Sequence, residues 1–177
     1  AAGARTMHSD CGRFSVTYNG EIYNHLTIRA DLEAAGAAPS WRGHSDTETL
    51  IYAVRHWGIK EALQRVNGMF VFAIWDARER CLTLCRDRFG EKPLFYTWIG
   101  RDFVFASELK AFAAHPNWNK SIDRRALTAF MRYSYVPAPW TIWDGVRKLV
   151  AGSMLSIPQG VGPGELPQAE MYWSMRE

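Results

Sequence analysis

The residues best suited to chemistry in this sequence lie at positions 18–24, which read Tyr-Asn-Gly-Glu-Ile-Tyr-Asn. Asn19, Gly20 and Glu21 bring a side-chain amide, an unobstructed backbone and a carboxylate together, and such groups can hold a small polar ligand. Residues 13–18 alternate apolar and polar side chains, as in a half-buried strand. A helical pattern follows over residues 25–36 and ends at a glycine. The sequence therefore predicts that these groups lie at a strand-to-helix junction.

The pair Asn19-Gly20 has a second interpretation as a tight turn. Both residue types tolerate positive φ, and an isolated Asn-Gly pair is typical of a β-hairpin. No second strand follows at hairpin spacing, which weakens this interpretation. A turn and a ligand-holding junction both stay open from the residues alone.

Asp46 is the second candidate site residue. It lies in the run Ser45-Asp46-Thr47-Glu48, which has the form of a capping box at the start of a helix over residues 49–58. Asp46 can stabilise the helix start as a cap and through the helix dipole, or it can accept a hydrogen bond from a ligand's ammonium group. Spacing alone favours the cap.

The strand pattern predicts an α+β fold built from antiparallel hairpins. Residues 69–75 are apolar without alternation, so this strand must be covered on both faces. The remaining strands are predicted at residues 81–85, 94–98 and 103–106, and the remaining helices at 59–66, 108–114 and 124–133. We expect a layered sandwich with helices outside stacked sheets. The sequence contains no glycine-rich phosphate loop, so nucleotide binding within this chain is not expected.

Composition excludes several classes of function. The 177 residues carry a net charge of only +3, which argues against nucleic acid or an anionic membrane as a partner. No apolar run approaches the roughly 18 residues that span a bilayer. Of the three cysteines, Cys81 and Cys85 lie four apart on a predicted strand and are interpreted as buried small hydrophobes. We expect a reduced, cytoplasmic setting and no metal site.

Five motifs occur in an order that is specific when they are taken together. They cover residues 18–24, 44–48, 67–76, 86–96 and 105–111. Together they resemble the glutamine amidotransferase (glutaminase) domain of glutamine-dependent asparagine synthetases, which belongs to the class II, N-terminal-nucleophile type. The likeness extends over nearly the whole chain, to about Trp173.

The resemblance implies a four-layer α-β-β-α sandwich of the N-terminal-nucleophile hydrolase type and the hydrolysis of glutamine to glutamate and ammonia. Asn19 and Gly20 would form the oxyanion hole, whereas Glu21 and Asp46 would hold the α-ammonium group of glutamine; Asp46 can then serve as both cap and ligand. The implied partner is a synthetase domain that uses the ammonia to form an amide on aspartate or a related carboxylate. ATP and Mg²⁺ are expected only in that domain, and no cofactor is expected in this chain.

The departures from the family pattern concern the nucleophile. The family uses an N-terminal cysteine whose own α-amino group acts as the base. Residue 1 here is Ala1, and the nitrogen of Cys11 lies in a peptide bond. We therefore expect the first strands, the nucleophile and an arginine for the substrate carboxylate to belong to sequence before Ala1, and the isolated chain to be inactive. Residues 1–157 are interpreted as the partial glutaminase domain, and residues 158–177 as a Gly- and Pro-rich linker toward the synthetase domain.

Two alternatives remain for the biological role. Glu91 stands where many relatives carry an aliphatic residue, and together with residues 133–139 it resembles asparagine-synthetase-like proteins of cell-surface polysaccharide biosynthesis. The other alternative is a non-catalytic scaffold that binds a synthetase domain or its own copies through exposed sheet edges. The run Arg86-Asp87-Arg88 is predicted to form a structural ion-pair network near a domain interface, rather than a solvated charge cluster or a catalytic group.

Overall fold

The computed structural model describes residues 6–175, and the expectation about Ala1 lies outside the described residues. The strands are β1 (Met7–His8), β2 (Phe14–Ile22), β3 (Gly68–Asp76), β4 (Cys81–Arg86), β5 (Phe95–Ile99), β6 (Asp102–Ala106), β7 (Arg147–Lys148), β8 (Ser153–Pro158) and β9 (Glu170–Met171). The helices are α1 (His25–Ala34), α2 (Asp46–Trp57), α3 (Ile59–Arg65), a 3₁₀ helix (Leu109–Ala114) and α4 (Arg124–Tyr133).

The strands form two antiparallel sheets. The first has six strands in the order β1-β2-β3-β4-β8-β9, and the second has three in the order β6-β5-β7. The longest ladder joins β2 to β3 over nine residue pairs, from Phe14 opposite Asp76 to Ile22 opposite Gly68. The predicted mixture of helices with mainly antiparallel sheets is confirmed.

Strand β3 lies at the centre of the layered arrangement because both of its faces are buried. Phe70 and Phe72 pack into a cluster with side chains of α1, α2 and α3. Val71 and Ala73, on the other face, pack against side chains of the second sheet. The absence of alternation in this segment therefore reflects a sheet that is covered on both sides.

The outer face of the second sheet is covered by a separate cluster of apolar side chains. Phe95 and Ile99 of β5 pack there with Phe112 of the 3₁₀ helix and with Trp118. The predicted helix at residues 108–114 is thus a 3₁₀ helix. Helix α4 matches its predicted bounds, and the Asp123 carboxylate caps it by accepting hydrogen bonds from two backbone N–H groups.

Four strands are not predicted by the sequence patterns: β8, with six residues, and the two-residue strands β1, β7 and β9. Strand β9 pairs with β8 in the first sheet, and Tyr172, immediately after it, is buried. The Tyr172 hydroxyl donates a hydrogen bond to the Arg86 carbonyl at 2.8 Å. The chain thus returns to the first sheet after residues 159–169, and the domain boundary expected between residues 157 and 158 stays a prediction.

Across residues 6–175, every helix is too short or too polar to cross a lipid bilayer.

Candidate active site

Asn19, Gly20 and Glu21 lie inside strand β2 and not at a junction after it. Strand β2 continues to Ile22, and Asn19 pairs with Val71 of β3. The turn interpretation of Asn19-Gly20 is therefore wrong, and so is the predicted strand end near Tyr18. The long neighbouring strand β3 supplies backbone partners past the Asn-Gly pair, and these partners outweigh its local turn preference.

Gly20 is required by the close approach of the neighbouring strand. Its φ of +156° is one that other residues rarely adopt, and a Cβ at this position would lie 2.5 Å from the Cα of Phe70. A Cβ at Gly68, on β3, would likewise overlap the carbonyl oxygen of Glu21. At the candidate site, a side chain at either glycine would therefore overlap the backbone of the facing strand.

Asn19 and Glu21 lie on the face of β2 that is directed toward the second sheet. Alternate strand residues share a face, and Asn19 shares that of its partner Val71, which packs against the second sheet. The Asn19 amide Nδ2 donates a hydrogen bond to Ser107 Oγ, just after β6, at 3.2 Å. Asn19, Val71 and Ser107 line a cavity of about 200 Å³ between the two sheets.

Asp46 approaches the same strand from the helix-covered side. Its Oδ2 accepts hydrogen bonds from the Tyr18 hydroxyl at 2.7 Å and from the Ile22 backbone N–H at 3.0 Å. Its Oδ1 accepts only a long contact of 3.4 Å from the Thr47 hydroxyl. Burial and the bond to Asp46 raise the pKa of Tyr18, so this phenol remains a proton donor at neutral pH.

The predicted capping box is wrong. Ser45 occupies the N-cap position of α2, but its side chain makes no capping hydrogen bond. Glu48 does not reach back to Ser45, because its Oε1 accepts from the Arg42 backbone N–H at 3.0 Å. Asp46 is instead the first helical residue, so its carboxylate is free to bind β2.

Neither carboxylate of the site is neutralised by a basic group. Among the residues that the structure describes, Asp46 has two hydroxyls and one backbone N–H as partners, all uncharged. Glu21 is exposed at the end of β2, and no Lys, Arg or His of the described chain forms an ion pair with it. Two carboxylates without a cationic partner favour a positively charged ligand.

The three cysteines do not reach the cavity beside Asn19. Cys85 is fully buried and pairs with Phe72 on the opposite face of the first sheet. Cys81 pairs with Asp76, five residues along β3 from Val71, which is about 17 Å. Cys11 lies in the exposed turn between β1 and β2.

Arg86 and Asp87 are structural, but they do not form the predicted ion-pair network. The Arg86 guanidinium donates to three backbone carbonyls, of Lys92, Leu149 and Gly90. The fully buried Asp87 carboxylate accepts hydrogen bonds from backbone N–H groups of residues 70, 89, 91 and 92. Each charge is therefore satisfied by backbone dipoles, which a pattern of alternating charges cannot reveal.

Sequence reasoning also missed the residues that position the site. Ser107 and Tyr18 were present in the motifs, but their contacts join segments far apart in the chain.

Within residues 6–175 no group of three or more His, Cys, Asp or Glu side chains could hold a metal ion.

Comparison with known proteins gives the family. A model of the glutamine amidotransferase domain matches residues 1–173. Asparagine synthetase [glutamine-hydrolyzing] 1 of Bacillus subtilis (strain 168) is 38% identical over 159 residues, which are 89% of this chain and 24% of that protein. A putative asparagine synthetase of Mycobacterium bovis is 38% identical over 148 residues, which are 82% of this chain and 22% of that protein.

Solved structures agree on the fold. Glutamine phosphoribosylpyrophosphate amidotransferase from Bacillus subtilis, complexed with ADP and GMP, superposes with a TM-score of 0.59 at 21% identity. The match covers 97% of this chain and 32% of that one. The chain spans about a quarter of the length of the asparagine synthetases it matches, and it belongs to the glutamine amidotransferase domain family.

Proposed function

We propose that this chain binds glutamine at the C-terminal end of β2, beside the cavity lined by Asn19, and supports hydrolysis of its side-chain amide. The observation that carries the proposal is the pair of carboxylates, Glu21 and Asp46, which have no cationic partner among the described residues. They flank a strand whose Asn19 amide lines a cavity. An amino acid with an α-ammonium group and an uncharged amide side chain suits this distribution of charge.

The two ends of glutamine would meet different groups. Glu21 and the Oδ1 atom of Asp46 accept hydrogen bonds from the α-ammonium group. Asn19 Nδ2 has two hydrogens, of which one is donated to Ser107 Oγ, and the second can be donated to the side-chain carbonyl oxygen of glutamine. Gly20 can add its backbone N–H, and the missing side chain lets the substrate approach.

These donors act on the charge that develops during amide cleavage. When a thiolate adds to the carbonyl carbon, the π electrons move to oxygen, and donors already in place stabilise this oxyanion. The C–N bond then breaks as nitrogen takes a proton and leaves as ammonia, and water cleaves the thioester to give glutamate. Each well-placed oxyanion donor supplies roughly 2.7–4 kcal/mol of transition-state stabilisation.

The thiolate would come from outside the described cavity lining. Cys11, Cys81 and Cys85 lie in a distal turn, at the far end of β4 and on the opposite sheet face. We therefore assign to this chain the binding of glutamine and the stabilisation of the oxyanion, with the nucleophile supplied by another part of the natural protein. The 177 residues alone are expected to bind the substrate without turning it over.

For the whole protein we propose a cytoplasmic amidotransferase in which the ammonia is used by an ATP- and Mg²⁺-dependent synthetase domain. The acceptor would be aspartate or a related carboxylate, including one attached to a sugar. Helix α4 supports a domain contact, because its side chains Phe130 and Met131 are 47% and 77% exposed. The same surface favours the second candidate function, a non-catalytic module that associates with a synthetase domain or with its own copies.

The role of Asp46 can be tested with the natural full-length protein. We expect the wild type to release glutamate from glutamine, and Asp46→Asn to raise the KM for glutamine about 10- to 100-fold, because a charged hydrogen bond to the ammonium is lost. The kcat should change little. Asp102→Asn, which alters an exposed carboxylate near His115, is the matched control. An unchanged KM in Asp46→Asn would exclude the proposed ammonium site, and an inactive wild type would favour the non-catalytic module.

A further inference from the structure

Arg29 is a buried cation in helix α1 that holds the segment leading into α2. Its side chain is almost inaccessible to solvent, and all three guanidinium nitrogens donate hydrogen bonds. Nε donates to Thr49 Oγ1 at 2.8 Å, Nη1 to the Gly43 carbonyl at 2.8 Å, and Nη2 to the Ser45 carbonyl at 3.0 Å. These partners lie on both sides of Asp46 in the sequence.

The buried charge of Arg29 is compensated locally. Nη2 lies 3.5 Å from Glu48 Oε2, and both side chains of this pair are 9% exposed. The guanidinium also lies over the ring of Trp41, at 4.2 Å from its centroid. Because each nitrogen of this buried guanidinium already donates to an acceptor of the protein, we expect Arg29 to act through its neighbours.

The geometry connects Arg29 to the carboxylate of Asp46. Ser45 immediately precedes Asp46, and Thr49 lies in the first turn of α2, so the planar guanidinium holds the backbone before Asp46 and a side chain after it. The Asp46 carboxylate then meets the Tyr18 hydroxyl and the Ile22 backbone N–H of β2. Arg29 therefore holds the start of α2 to α1, while Asp46 holds it to β2.

We infer that Arg29 is a positioning residue for the substrate ammonium site and acts through the backbone carbonyls before Asp46 and the Thr49 side chain after it. This inference rests on the proposed function, because it concerns the same carboxylate. Lysine cannot replace Arg29 here, since an ammonium group lacks the planar fork that reaches three acceptors in fixed directions. Displacement of a binding group by about 1 Å is enough to cost a large factor in catalytic efficiency.

The test is steady-state hydrolysis of glutamine by the natural full-length protein carrying Arg29→Lys. The KM for glutamine should rise by about tenfold or more, while kcat stays within about twofold, because only substrate placement is affected. The second substrate is the glutamine analogue that lacks the α-amino group, for which Arg29→Lys and the wild type should have the same KM. Arg13→Lys is the matched control, since Arg13 pairs with Asp76 at the opposite end of β2.

A double-mutant cycle separates positioning from a general loss of structure. In the Asp46→Asn background the Arg29→Lys change should add less than about twofold to the KM for glutamine, because both changes act on one interaction. Should Arg29→Lys fail to fold, Glu48→Gln offers a milder change that removes the ion pair and keeps an acceptor for the Arg42 N–H; it should raise KM in the same direction.

The outcomes distinguish this inference from the proposed function. An active wild type whose Arg29→Lys and Glu48→Gln variants keep the wild-type KM would overturn the inference alone. Additive effects in the cycle, or equal KM increases for glutamine and its deaminated analogue, would also overturn it. A wild type without glutaminase activity would overturn the proposed function and this inference with it.

Discussion

Two aspartates of this chain accept several hydrogen bonds each, yet their partners differ in charge. Asp76 binds the Arg13 guanidinium at 2.7 Å and also accepts from the backbone N–H groups of Arg78 and Glu79. Within residues 6–175, Asp46 is held by neutral groups, among them the Tyr18 hydroxyl. The charge of Asp76 is therefore paired with a cation within the fold, whereas Asp46 forms no ion pair among the described residues and is proposed to bind the ammonium group of a ligand.

Because Asp76 is structural, its effect on stability should depend on pH. The hydrogen bond from Arg13 holds the pKa of the Asp76 carboxyl below its usual range. A carboxyl with a depressed folded-state pKa stabilises the protein above its unfolded-state pKa of about 4, and this contribution is lost as the pH falls through the lower folded-state value. We expect Asp76→Asn to reduce the free energy of unfolding by about 1–2 kcal/mol at pH 7 and by progressively less below pH ~4.

Urea denaturation of the wild type and the variant at a series of pH values measures this difference. Asp31→Asn, on the exposed surface of α1, is the control and should be nearly neutral at every pH. A difference between wild type and Asp76→Asn that stayed constant down to pH ~2 would contradict the ion-pair account.

At the scale of elements, the site depends on how closely β2 and β3 approach each other. Asn19 and Glu21 belong to a strand that is paired along its whole length, so their directions are fixed by the ladder and not by a flexible loop. Helix α2 supplies Asp46 from the other face, and its first turn is held to β2 and to α1. The site is thus assembled where three elements meet.

The contact between β2 and β3 predicts a large effect for Gly20→Ala. The added methyl group would overlap the backbone at Phe70, so the two strands must separate or twist. We expect the free energy of unfolding to fall by about 2–4 kcal/mol, as measured by urea denaturation. Gly162→Ala, where an added Cβ meets nothing within 4 Å, should change it by less than about 0.5 kcal/mol. Equal stability of the two variants would show that the close approach is not required.

At the scale of the whole molecule, the sequence predicted the features that depend on a local pattern of residues. The apolar strand β3 indicated a sheet buried on both faces, and the motifs indicated the family. The site roles of Asn19, Gly20, Glu21 and Asp46 stay predictions. Sequence patterns did not predict the contacts between segments that are distant in the chain. The return of β9 to the first sheet and the clamp of Arg29 on the loop before α2 depend on contacts that no spacing in the sequence encodes.

The same reason explains the mistaken capping box and turn. Ser45 and Glu48 have the right spacing for a capping box, but the Arg42 backbone N–H donates to Glu48 Oε1 in place of the Ser45 N–H. Asn19-Gly20 has the composition of a turn, but β3 extends its pairing beyond it. At the candidate site, tertiary contacts therefore override the local conformational preferences of these residues.

The central claim is that Asn19 stabilises the oxyanion formed from glutamine, and the most direct measurement is kcat for glutamate release by Asn19→Ala in the natural full-length protein. Loss of one oxyanion donor should lower kcat about 10²- to 10³-fold with little change in KM. Asn119→Ala, on an exposed loop, is the control and should behave like the wild type. A kcat for Asn19→Ala within about threefold of an active wild type would contradict the oxyanion assignment and leave Asn19 only its hydrogen bond to Ser107.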